Sequence, residues 1–406
     1  MARPRSVAAI RSVVRWAPRP TDPVERRLAR AASVADLRRL ARRRLPRGVF
    51  DYIDGAAEDE RTLAANAAAF ARTAFRPRVL AGLGEVDVSA SIFGVPAAYP
   101  LVLAPTGFTR IADPQGELAV ARAAERAGLP YTLSTLATRS IEEVRAVSGG
   151  RLWFQVYAWR DRGLVAEMIQ RAAAARYEAL VLTVDTAVLG RRERDVRRGF
   201  TLPPTIGPST LVDGALHPRW TLELLRNEPI RFANVAGRDV GDGSSPVTLS
   251  DYINSQFDPS LSWSDVEWLR TVWDGPIVVK GIQRVDDAVL AAEVGVDAVV
   301  LSNHGGRQLD GAPAPFTLVA PVADAVGGRT EIICDGGIRR GSDIVKALAA
   351  GATAAMAGRA YLYGLGAAGE RGVDRVLQWF ADDMARTMAL LGVDAVADLD
   401  PSLLAE

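Results

Sequence analysis

The fold class this sequence predicts is α/β, a (β/α)8 barrel with an N-terminal helical extension and a long insertion after strand four. Two observations predict it. From residue 100 onward, short continuous apolar runs alternate eight times with amphipathic helical stretches, as a parallel sheet covered by helices requires. The rare polar residue types then fall at the C-terminal ends of those runs, the face on which barrels carry their chemistry. A doubly wound open sheet is the alternative, but eight units without a break in composition favour closure.

Residues 1–32 mix Arg, Pro and Ala without periodicity and read as a basic, loosely ordered arm. Helices are expected near 34–44 and 57–72, ahead of the core. The strands are expected at 101–104, 130–134, 152–156, 179–184, 276–280, 297–302, 330–334 and 353–357. The helices between and after them fall at 115–127, 140–147, 161–176, 263–273, 284–294, 316–326 and 341–350. One or two packing helices follow over about 371–396. This makes 33–396 a single barrel domain, with 397–406 as a tail. The segment 186–262, rich in Pro, Gly, Asp and Ser, is longer than an ordinary connection and reads as a lid or binding segment.

Composition narrows the function. With 406 residues, 49% hydrophobic and 24% charged, the chain suits a soluble globular protein with a large core. No window approaches 18 uncharged apolar residues, and no apolar stretch follows the Arg-rich start as in a secretory signal. One Cys excludes a disulfide scaffold, and two His make a multi-His metal site unexpected, so no metal is assigned. All but two of the 49 basic residues are Arg, the exceptions being Lys280 and Lys346. Residues 1–50 hold 14 Arg against Asp22, Glu25 and Asp36. A nucleic-acid partner is not expected, because these Arg are not interleaved with a series of aromatic residues as a single-strand binder needs.

Lys280 ends an apolar strand, which draws its ammonium into the barrel mouth to face an electron-rich ring or a developing anion. His304 sits in SNHGGRQLD, with Arg307 three residues on, and reads as a catalytic base. Asp335 on the next strand is expected to hold its imidazole. The segment CDGGIRRGSD followed by MAGRAYLYG has the form of a phosphate nest, with Arg339 and Arg359 supplying charge. Arg191–Arg192 after strand four places a second guanidinium near the mouth. Two Arg converging on a His suggest a carboxylate substrate. Gly364–Gly369 matches GxGxxG but lies past the end of the last strand, so no dinucleotide site is assigned to it. Cys334 reads as a small buried hydrophobe and His217 as structural.

The motifs VFDYIDGAAEDE, APTGFTRIADPQGE, FQVYAWRDR, LTVDTAVLGRRERDVRRGF, VVKGIQ, SNHGGRQLD and DGGIRRGSD together resemble the FMN-dependent L-2-hydroxy acid oxidases and dehydrogenases. The likeness runs from about residue 34 to 396 and is nearest in look to the actinobacterial quinone-type L-lactate dehydrogenases. It implies FMN as cofactor, with His304 as base, Asp335 as its partner, and Arg307 and Arg192 gripping the substrate carboxylate. Tyr157 resembles a substrate-binding catalytic tyrosine, Tyr52 one that closes over the substrate, and Lys280 the lysine facing the reduced flavin. Pro105, Thr106, Gly107, Ser134, Gln155, Thr183 and Ser302 match flavin-lining positions. Asp335, Gly336, Gly337, Ile338 and Arg339, with Gly358 and Arg359, match the ribityl and phosphate site.

Departures from the family pattern are few. Tyr52 is followed by Ile53 where a tyrosine pair is common, Ala187 stands where Pro is common, and Gly107 where the oxidases carry Ala. Leu136 replaces a Trp of glycolate oxidase, which counts against glycolate as substrate. The resemblance implies oxidation of an L-2-hydroxy acid, L-lactate foremost, with electrons passed to a quinone or similar acceptor. It also implies a homo-oligomer, tetrameric in the family, in the cytoplasm or peripheral on the inner face of the membrane. Alternatives are an oxygen-using oxidase of a mandelate-like or longer-chain acid, and a non-enzymatic flavin-binding protein.

Overall fold

In the computed structural model, residues 20–198, 207–235 and 255–405 are described. Eight parallel strands close into a barrel. They are β1 (Leu101–Leu103), β2 (Tyr131–Ser134), β3 (Leu152–Tyr157), β4 (Ala179–Thr183), β5 (Ile277–Ile282), β6 (Ala298–Leu301), β7 (Glu331–Asp335) and β8 (Ala354–Ala357). Closure runs through the β8–β1 pairing, Ala355 to Leu101 through Ala357 to Leu103. Each lies within a residue or two of its expected run. All but the first residue of β7 are buried, which is why no polar alternation appears in the sequence. Inward-facing Val102, Trp153, Val181, Val278, Val300, Ile333 and Met356 fill the interior.

A hairpin, Ala90–Ile92 paired antiparallel with Val95–Ala97, stops the N-terminal end of the barrel. Ile92 is fully buried there and Phe93 packs on Trp153 with ring centroids 5.2 Å apart. Arg151 fastens the hairpin through the carbonyls of Ile92, Val95 and Pro96.

The expected outer helices are present, and two features differ from the sequence reading. A short helix, α1 (Arg47–Asp54), follows the helix Val34–Arg44 and was not anticipated. Within the basic arm, Pro23–Leu28 is helical and buries Leu28; residues 1–19 lie outside the described residues. Within the C-terminal tail, Leu404 and Ala405 pair with Phe75 and Ala74.

A second unanticipated helix, α2 (Arg359–Ala368), follows β8, and the GxGxxG run lies in it and just beyond. Its glycines serve packing. It meets α3 (Glu370–Leu391) so closely that a Cβ on Gly372 would stand 1.9 Å from the Gly364 carbonyl oxygen. Gly372→Ala is therefore expected to lower stability by about 1–3 kcal/mol through overpacking, read as a fall in Tm by circular dichroism. An unchanged melting curve would refute the close contact.

The insertion contributes the helices Glu193–Arg198, Pro208–Leu216 and Pro218–Arg226. Trp220 ties the last of these to the barrel by donating to the Ile111 carbonyl at 2.8 Å. His217 is a local fixture, its Nδ1 2.7 Å from the Asp213 carbonyl.

Candidate active site

A cavity opens at the C-terminal ends of the strands. Pro105, Thr106 and Gly107 after β1, Ser134 and Gln155 closing or near the ends of β2 and β3, and Thr183 and Lys280 on β4 and β5 line it. Asp335, Gly336, Gly337, Ile338, Arg339, Gly358 and Arg359 line the β7–β8 side, and Tyr52, Tyr157, Arg192, His304 and Arg307 the outer part. Arg191 is not among the lining residues.

His304 stands on a tight turn after β6. It has φ 56°, a left-handed conformation uncommon for a residue with a Cβ, and Gly305 and Gly306 continue it at φ 65° and 77°. Such strain costs about 1–3 kcal/mol and persists only when neighbours enforce it. The Ser302 hydroxyl takes the His304 N–H at 3.1 Å, and the Asn303 side chain takes the Gly306 N–H at 3.0 Å. Asn303 and Asn66 then exchange two amide hydrogen bonds of 2.8 and 2.9 Å.

The partner of the imidazole corrects the sequence reading. His304 Nδ1 lies 2.9 Å from Asp185 Oδ1, and Asp335 is engaged elsewhere. Asp185 comes just after β4, its side chain 2% exposed. Burial works to raise its pKa, but the charges of His304 and Lys280 outweigh this and hold it below the ordinary carboxylate value. An ionised Asp185 requires His304 to carry its proton on Nδ1, which leaves Nε2 basic. The approach depends on Gly281: β5 slips register between Lys280 and Ile282, and a Cβ on Gly281 would lie 2.8 Å from that of Asp185.

Asp335 belongs to a second set. Lys280 Nζ sits 3.0 Å from Asp335 Oδ2 and donates to Ser302 Oγ at 2.9 Å, while Ser302 donates to Asp335 at 2.8 Å. Burial works to lower the Lys280 pKa, but Asp335 and Asp185 together raise it, so the ammonium is a fixed positive charge. Ser302 is fully buried and does not reach the cavity; it braces Lys280, Asp335 and the His304 turn.

At the outer end, Arg307 and Arg192 bracket Tyr52, their guanidinium carbons 5.1 and 5.9 Å from its ring centroid. Enclosure and the like charge of Arg192 push Arg307 down to about 9, a tension that an anion placed between the two would relieve. Tyr157 is buried, which raises its hydroxyl pKa and keeps it a neutral donor. Gly107 packs on Leu136: a Cβ there would be 3.1 Å from the Leu136 Cβ.

The inner end suits a ring with acceptor edges and a phosphate. Gln155 accepts from Ser134 Oγ and Thr135 N through Oε1, which leaves its buried Nε2 without a partner. Thr183 Oγ1 is likewise buried and unpartnered. Such buried polar groups are costly unless a ligand meets them. Gly336 and Gly337, at φ 99° and 93°, turn the backbone beside Arg339 and Arg359. Arg359 spends one hydrogen bond from each nitrogen on the carbonyls of Ile53, Gly305 and Gly55, and its Nη1 and Nη2 each carry one further N–H. These groups fit FMN.

The family model described as FMN-dependent dehydrogenase matches residues 41–406. The chain belongs to that family. An FMN-dependent dehydrogenase of this kind is an enzyme that oxidises 2-hydroxy acids, and its cofactor is FMN. An L-lactate dehydrogenase of Caulobacter vibrioides is 44% identical over 376 residues, 92% of this chain and 98% of that protein. One from Haemophilus influenzae is 41% identical over 382 residues, with 92% and 98% covered. The solved structure of (S)-mandelate dehydrogenase, titled a monotopic membrane protein, is 40% identical with a TM-score of 0.88, covering 93% of this chain and 99% of its own. Two residues eluded the assignment of roles from sequence: Asp185, visible only as the residue following strand four, and Phe257, a cavity wall within the insertion.

Proposed function

We propose that this FMN-dependent dehydrogenase oxidises L-lactate to its 2-oxo acid and passes the electrons to a membrane quinone. The observation that carries the substrate class is the Arg307–Arg192 pair lining the same cavity as His304, whose Nδ1 is held by Asp185. Arg307 and Arg192 would clamp the carboxylate, and Tyr157 would donate to the substrate oxygen. That fixes the carbon bearing the hydroxyl relative to His304, and such positioning can be worth roughly 7–11 kcal/mol. His304 Nε2 takes the substrate proton, and Asp185 stabilises the imidazolium that results. Lys280, paired with Asp335, holds positive charge at the inner end, where Gln155, Thr183, Gly336, Gly337, Arg339 and Arg359 would hold the cofactor. FMN supplies the two-electron acceptor.

A second reading, an aryl 2-hydroxy acid, is favoured by the apolar wall formed by Phe108, Leu136, Leu189 and Phe257. Anaerobic mixing of the yellow protein with L-lactate, L-mandelate and glycolate separates the readings. L-Lactate is expected to bleach the flavin fastest. Faster bleaching by L-mandelate would move the substrate to the aryl acids, and no bleaching by any would overturn the proposal.

Among the described residues no helix is long and apolar enough to cross a membrane. The insertion helices nevertheless expose Leu211, Val212, Leu216 and Leu225 at 61–75% of their surfaces. These support peripheral docking near the quinone pool. A Leu211→Asp/Leu225→Asp variant should lose binding to anionic lipid vesicles yet keep turnover with a soluble dye. Undiminished vesicle binding would remove these helices from the contact.

A further inference from the structure

One knot of buried charge lies beside the cavity without entering the chemistry above. Asp54, 3% exposed, ends α1. Its carboxylate accepts from Arg38 Nη2 at 2.7 Å, Arg194 Nη1 at 2.9 Å and the Tyr363 hydroxyl at 2.8 Å. Burial works to raise its pKa, but these donors outweigh burial and bring it to about 2, so it is ionised across the working range of pH.

Two of its partners lead to opposite ends of the cavity. Arg194 lies in the helix Glu193–Arg198, which Arg192 immediately precedes, and also binds Glu60. Tyr363, on α2, lies under the Arg339 guanidinium, 5.7 Å from its carbon to the ring centroid. The main chain on either side of Asp54 repeats the pattern. Arg359 donates to the carbonyls of Ile53 and Gly55 at 3.2 and 2.8 Å. Arg307 donates to those of Tyr52 and Gly55 at 2.8 and 2.9 Å. The Gly55 carbonyl is thus shared by an arginine from the phosphate end and one from the carboxylate end.

We propose that Asp54 is a positioning residue that locks the 52–55 turn and thereby sets both anion-binding ends of the cavity with one element. A turn released from Asp54 lets both guanidiniums drift from their aim, and small misplacement costs much in a site built on orientation. The coupling is reciprocal: occupancy of the phosphate end favours carboxylate binding, and the reverse. The inference rests on the reading above of Arg339 and Arg359 as phosphate ligands and of Arg307 and Arg192 as carboxylate ligands.

Three variants and two measurements test it. FMN release from the holoenzyme on dilution, read by the fluorescence of freed FMN, gives the flavin dissociation constant. Steady-state turnover with L-lactate gives KM and kcat. Asp54→Asn is expected to raise both the flavin dissociation constant and KM by roughly five- to thirtyfold, with kcat changed by less than about threefold. Arg194→Gln should raise KM alone, and Tyr363→Phe the flavin constant alone. Asp54→Glu should recover part of both.

The idea is overturned if Asp54→Asn moves neither constant, moves only one, or lowers Tm while both constants hold. If Asp54→Asn does not fold, the Arg194→Gln/Tyr363→Phe double variant takes its place, and it must move both constants. The flavin-release arm needs no turnover. A wild-type enzyme that no hydroxy acid bleaches would therefore sink the functional reading and leave the role of Asp54 at the phosphate end to be decided separately.

Discussion

His304→Gln is expected to slow anaerobic flavin bleaching by L-lactate by about 10³-fold or more, within the span general base catalysis contributes. Binding should suffer far less, because the carboxylate grip of Arg307 and Arg192 is untouched and the base acts on the barrier. Gln can still occupy the turn, although it cannot accept a proton at neutral pH. Stopped-flow absorbance across a range of lactate concentrations separates the limiting rate from half-saturation. A limiting rate within tenfold of wild type would remove His304 as the base.

Asp185→Asn is expected to reduce the same limiting rate by about 10²–10⁴-fold. The carboxylate accepts the Nδ1 proton of His304 at 2.9 Å and fixes the tautomer. An amide can present N–H to that nitrogen and hold the ring with its proton on Nε2, where it cannot serve as a base. Asp335→Asn provides the contrast. It removes the negative charge opposite Lys280 but leaves the His304–Asp185 pair in place, so bleaching should fall less. A larger fall for Asp335→Asn would restore the assignment that sequence order suggested.

That contrast also marks what could be read in advance. The strands were legible because a parallel strand buried on both faces leaves an uninterrupted apolar run, as at Ala179–Thr183. The site residues were legible as a set because a barrel gathers its strand ends on one face, which singled out Lys280, His304 and Asp335 among abundant surface charge. Which carboxylate meets the imidazole was not legible. It turns on the register slip at Gly281 and the left-handed turn at His304, neither of which has a local pattern that names a partner.

Helix α2 escaped for a related reason: Ala360 through Ala368 are all buried, so the polar face that betrays a helix is missing. Asp54 was hidden by distance, its partners Arg194 and Tyr363 lying 140 and 309 residues away in sequence.

The hairpin at residues 90–97 has a consequence for traffic. With Ile92 and Phe93 stoppering the far end, the reaction chamber is a cul-de-sac along the barrel axis. Among the described residues, the cavity then opens at the strand-end mouth, walled by Leu189, Arg192 and Phe257, and the acid and the oxo acid would share that mouth. An acceptor drawn to the same mouth would wait for the oxo acid to leave, which predicts an alternating, two-stroke working cycle, read as parallel lines in double-reciprocal plots at several acceptor concentrations.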